Sequence, residues 1–96
     1  MGLRVLEIQP TPNPNALKFV LDKAVSQQPI SFFNLAAAKD FPLARRLFEI
    51  PGVSSLLLLG DFITINKSSD TGWDDIKRQA RSVLLAWDED ERHGGQ

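Results

Sequence analysis

The sequence predicts a small α+β domain with its elements in the order β-β-α-β-β-α. Three observations carry that reading. Two short runs near the N-terminus alternate apolar and polar residues. Two further runs, residues 53–59 and 62–67, are joined by the pair Gly60-Asp61. Two segments, about 40–50 and 73–87, repeat their apolar residues at helical spacing. With 96 residues the chain is one domain, since two would leave fewer than about 50 residues each. The body is expected at 1–87, and 88–96 reads as an acidic, flexible tail.

Leu3 to Gln9 is rich in Leu, Val and Ile and alternates, so it reads as a strand. Pro10, Pro12 and Pro14 follow at every second position. Such a run is not helical and lacks the amide donors of a central strand. It is expected to be a stiff, extended connector, with Asn13 and Asn15 capping loose backbone groups. In Ala16 to Asp22, Leu17, Phe19 and Leu21 share one face while Lys18, Val20 and Asp22 share the other. This is a second strand, antiparallel to the first. Residues 23–40 are ambiguous. Ile30 to Phe33 suits a short edge strand and Ala36 to Ala38 a helical turn.

From Asp40 the pattern sharpens. Asp40 is placed as an N-cap, Pro42 suits a first turn, and Leu43, Ala44, Leu47 and Phe48 form an apolar stripe. Arg45 and Arg46 fall off that stripe near the C-terminus, where the helix dipole favours cations. Pro51-Gly52 closes the helix. A two-residue loop beginning with Gly then sets a hairpin register: Leu59 opposite Phe62, Leu58 opposite Ile63, Leu56 opposite Ile65. Leu56, Leu58, Ile63 and Ile65 therefore share one face, and Leu57, Leu59, Phe62 and Thr64 the other. One layer of helices cannot hide both. Thr71 and Asp74 are placed as a capping box, and Trp73, Ile76, Ala80, Val83, Leu84 and Trp87 recur as a buried stripe.

Composition narrows the chemistry. The chain has no cysteine and one histidine, His93. Thiolate metal sites, Cys nucleophiles and Cys-ligated iron–sulfur clusters are thereby removed, and His-dependent triads with them. No Gly-rich phosphate loop or metal-ligand spacing occurs. Residues 1–87 hold ten basic and eight acidic side chains; residues 88–96 hold one and four. That balance lacks the basic excess nucleic acid demands, and no run of about 18 apolar residues signals a membrane span. The expected place is the cytoplasm, or an organelle matrix after loss of a presequence. No enzyme, small-molecule substrate or cofactor held by this chain alone is expected.

Two stretches together carry a resemblance. They are Thr11-Pro12-Asn13-Pro14-Asn15-Ala16-Leu17-Lys18-Phe19, and Pro42 to Val53 followed by Asp61 to Lys67 and Trp73. This pattern resembles the N-terminal domain of the Nfu (NifU-like) scaffold proteins of iron–sulfur cluster assembly, over roughly residues 5–87. The resemblance implies a two-layer sandwich, with two main helices on one face of a small, mostly antiparallel sheet. In full-length family members a second domain follows, whose C-x-x-C pair holds a cluster between two subunits. This sequence has no such pair, so no cluster ligand carries over. Nothing beyond Gly94-Gly95 resembles a linker, which leans toward a stand-alone domain.

The resemblance thus implies an accessory interaction module without catalysis. It would dock a scaffold, a carrier or a recipient apoprotein, and a 4Fe–4S cluster would be met only through a partner. A general adapter unrelated to cluster assembly is the alternative, as is weak iron binding through the carboxylates of Asp88 to Glu91 with His93. Leu57, Leu59 and Phe62 are the leading contact residues, because contiguous exposed apolar surface marks contact sites. The competing reading has residues 23–40, with Ile30, Phe32 and Phe33, folding across that patch. Arg45 and Arg46 suit a carboxylate or phosphate, or simply a solvated helix end. Asn13 and Asn15 belong either to a docking connector or to a spacer that sets the angle between two strands.

Overall fold

The computed structural model describes residues 2–87. Five strands form one sheet: β1 (Val5–Pro10), β2 (Ala16–Leu21), β3 (Ser26–Phe32), β4 (Val53–Gly60) and β5 (Phe62–Lys67). A 3-10 turn spans Ala36–Ala38, and two helices follow, α1 (Pro42–Phe48) and α2 (Trp73–Ala86). The spatial order is β1-β2-β5-β4-β3, and every neighbouring pair is antiparallel. This is the expected α+β sandwich with one additional strand.

The hairpin register follows from the turn. Leu59 pairs with Phe62, Leu58 with Ile63 and Leu56 with Ile65. Gly60 has φ of 57° and Asp61 has a negative φ. A positive value at the first loop residue only is the II′ pattern, whose twist matches that of the flanking strands. The turn is also tied into the sheet: Leu21 N–H donates to the Asp61 carbonyl and Val25 N–H to that of Gly60, both at 2.7 Å.

All fully buried large side chains come from one face of the sheet and the helices over it. Phe19 and Leu21, Leu56 and Leu58, and Ile63 and Ile65 meet Leu47 of α1 and Ile76 and Leu84 of α2. α2 works as its stripe predicts, with Ile76, Ala80 and Leu84 buried and Val83 and Trp73 packed at the margin. Burying this many apolar side chains at about 1.5–3 kcal/mol each is what offsets the ordering entropy of so short a chain.

Three local expectations are corrected. The order β-β-α-β-β-α omits β3, which starts at Ser26 and ends at Phe32, leaving Phe33 76% exposed outside it. Gln27, Gln28 and Pro29 gave no alternation to read, and Pro29 is tolerated because β3 is an outer strand. Asp40 is not the cap of α1; Phe41 holds that position without a side-chain bond. Nor do Thr71 and Asp74 form a capping box, because Gly72 is the N-cap of α2. Thr71 instead packs over Gly52, where a Cβ would lie 2.6 Å from its methyl. The expected tail and its iron-binding carboxylates, 88–96, lie outside the described residues.

Candidate functional site

The side of the sheet turned away from the helices bears two cross-strand rows. One runs Glu7, Val20, Phe62, Leu59 and the other Gln9, Lys18, Thr64, Leu57, Ser31. Val20, Leu57, Leu59 and Phe62 are half-buried by their neighbours within the sheet. None of the four belongs to the core or packs against it, and no element among the described residues lies over them. The rival arrangement, in which 23–40 crosses the patch, is not what the chain does. β3 pairs alongside β4, which turns Ile30 and Phe32 inward and sets Ser31 beside Leu57 on the open side.

Phe62 is central in this face, between Val20 and Leu59. The Lys18 ammonium lies 4.2 Å from its ring centroid, a cation–π contact worth about 0.5–1 kcal/mol at an exposed site. Gln9 donates to the Glu7 carboxylate at 3.0 Å on the rim. The result is a small apolar centre with a polar border, the usual anatomy of a contact surface. Sequence reasoning placed Val20 beside Lys18 but missed its membership here. The pairing of β2 with β5 decides that, and those strands are distant in the chain.

The other expected site residues lie elsewhere. Arg45 and Arg46 occupy the last turn of α1, in the layer on the opposite side of the sheet. The Arg45 guanidinium donates to the Lys39 carbonyl at 3.5 Å. Asn13 and Asn15 are in the connector between β1 and β2, and both side chains have intramolecular roles. The Asn13 side-chain oxygen accepts from Asn15 N–H at 2.9 Å, and that of Asn15 accepts from the Lys67 ammonium at 3.1 Å. The Thr11 hydroxyl lies 2.9 Å from the carbonyls of both Asn13 and Ala16, its one proton serving either, and accepts from Asn13 N–H at 3.2 Å. The Trp73 indole N–H closes the assembly by donating to the Pro14 carbonyl at 3.0 Å. The connector therefore fastens the start of α2 to the sheet.

Among the described residues no three of His, Cys, Asp and Glu come together as a metal-holding group, and no helix is long and apolar enough to cross a membrane. A cleft of about 100 Å³ beside Leu3, Val25, Phe41, Leu43 and Trp87 has Asp40 as its one ionisable side chain among the described residues.

Fold and surface together define a small α+β domain with one helix-covered and one open sheet face. The chain belongs to the family described as scaffold protein Nfu/NifU, N-terminal, whose model matches residues 6–90. The human protein named NFU1 iron-sulfur cluster scaffold homolog, mitochondrial, is 43% identical over 82 residues, covering 83% of this chain and 32% of its own length. Arabidopsis thaliana NifU-like protein 4, mitochondrial, is 37% identical over 81 residues, 83% of this chain and 29% of that protein. A NifU-like protein from Saccharomyces cerevisiae, solved by solution NMR, superposes with a TM-score of 0.74 at 30% identity, covering 88% of this chain and 76% of that one. The chain thus spans about a third of the length of these curated relatives.

Proposed function

We propose that this domain is a non-enzymatic interaction module of iron–sulfur cluster assembly, docking a scaffold, a carrier or a recipient apoprotein without ligating the cluster itself. Family membership supports the pathway, since the human relative is named an iron-sulfur cluster scaffold homolog. The observation that carries the docking role is the open sheet face of Val20, Leu57, Leu59 and Phe62, apolar and apart from the core. The absence of cysteine supports the division of labour: thiolates would come from a partner's C-x-x-C pair, while this chain adds contact area and orientation. The cytoplasm is the proposed location, with an organelle matrix as the second reading because several relatives are named mitochondrial.

The test is an NMR titration of the labelled chain with a C-x-x-C scaffold domain carrying its assembled cluster. Saturable shifts at Leu57, Leu59, Phe62 and Thr64 support the proposal. Absence of binding, or shifts confined to the helix layer around Arg45 and Arg46, would overturn the assignment of the face.

A further inference from the structure

A second surface lies at the opposite edge of the domain from β3, where β1 meets α2. There Leu3, Arg4, Val5, Arg81 and Leu85 line an open cleft of about 310 Å³. Among the described residues its two charged groups are both guanidiniums. Neither has a carboxylate partner among the described residues, whereas Arg78, three residues before Arg81, is paired with Asp75 at 2.9 Å. Leu85 is 64% exposed at one end, and Leu6, which follows Val5 in the irregular stretch of β1, is 60% exposed. Lys77 precedes Arg81 by one helical turn and Leu85 follows it by one, so the three share a stripe of α2.

The cleft is held in shape by backbone. Leu3 N–H donates to the Leu84 carbonyl at 2.7 Å, fixing the strand entry onto the last turn of α2. Arg4 is clamped on both sides: its N–H donates to the Asp22 carboxylate at 2.9 Å, and its carbonyl accepts from Asp22 N–H at 3.0 Å. The Arg4 backbone is thus fixed before binding, and a guanidinium pairs carboxylates with two parallel bonds. β1 is also an outer strand of the sheet, so one side of its backbone has no strand neighbour.

We infer that this cleft receives an extended protein segment that carries adjacent carboxylates and one apolar side chain. The carboxylates would pair with Arg4 and Arg81, and the apolar group would cover Leu85. The concave form and the two guanidiniums, with Lys77 one turn from Arg81 on α2, fit an acidic peptide. A flat anionic membrane or a phosphate backbone would need a broad basic surface, and here Glu7, Asp74 and Asp75 are exposed on the same two elements. The inference is independent of the role given to the open sheet face.

The experiment titrates the full chain with a short synthetic peptide of alternating Glu and Leu, followed by anisotropy and amide shifts. The same peptide with Gln for Glu, and anionic phosphatidylserine vesicles, are run in parallel. The acidic peptide is expected to bind and to shift Arg4, Arg81 and Leu85. Arg4→Gln and Arg81→Gln should each weaken it about tenfold, with Arg78→Gln nearly silent and binding falling as salt rises. Phe62→Asp should leave it unchanged, which separates this outcome from failure of the sheet face. Equal binding of the Gln peptide, preference for vesicles, or indifference to both arginine substitutions would overturn the inference. So would binding only after removal of residues 88–96, which would make the chain's own acidic run the occupant.

Discussion

Adjacent leucines of β4 should respond very differently to truncation. Leu58 is 0% exposed within the core, whereas Leu57 is half-buried on the open face and packs against nothing in the core. Leu→Ala removes three carbons, worth about 2.4 kcal/mol at ~0.8 kcal/mol each when fully buried. An incompletely relaxed cavity at Leu58 adds about 0.6 kcal/mol, for a total near 3. At Leu57 roughly half of the transfer term applies and solvent fills the gap, so about 1 kcal/mol is expected. Urea unfolding of Leu58→Ala and Leu57→Ala, with unchanged m-values, measures both. Equal losses near 3 kcal/mol would show that a further layer covers the open face, and the reasoning about that face would fail.

Gly52 has φ of 96° with Thr71 closed over it, so Gly52→Ala should cost about 2 kcal/mol. Thr71→Ala in the same chain should restore only part, since it relieves the contact and not the backbone; full rescue by thermal unfolding would contradict this. Trp73→Phe removes the bond to the Pro14 carbonyl and should lower stability by about 1 kcal/mol, with the largest amide shifts at residues 11–16. Anaerobic reconstitution of the isolated chain with iron and sulfide should yield no stoichiometric cluster, read by absorbance and iron content.

Much of the fold was legible where pattern is local. The pair Gly60-Asp61 specified the hairpin, and alternation then assigned Leu56, Leu58, Ile63 and Ile65 to the core. The stripe from Trp73 to Trp87 gave α2 because i, i+3 and i+4 spacing follows from helix geometry alone. What sequence left open depends on pairing across distance. β3 carries Gln27, Gln28 and Pro29 and becomes a strand only because β4 offers it an edge. The same placement decides whether Leu57 and Phe62 are covered, so the candidate face was visible as residues but not as a surface. The cap residues failed for a similar reason: Thr71 is claimed by Gly52, a contact no short-range rule anticipates. Arg4 and Arg81 come from opposite ends of the chain and meet through the bond from Leu3 to Leu84.

The central claim is that the domain recognises its partner through the helix-free side of the sheet. Phe62→Asp places a charge in the middle of that side, at a residue outside the core. Calorimetric titration of this variant against a cluster-loaded C-x-x-C scaffold domain is the most direct measurement. The account predicts loss of detectable binding while the thermal midpoint stays within a few degrees of the parent's. Undiminished affinity in a folded Phe62→Asp chain would contradict it.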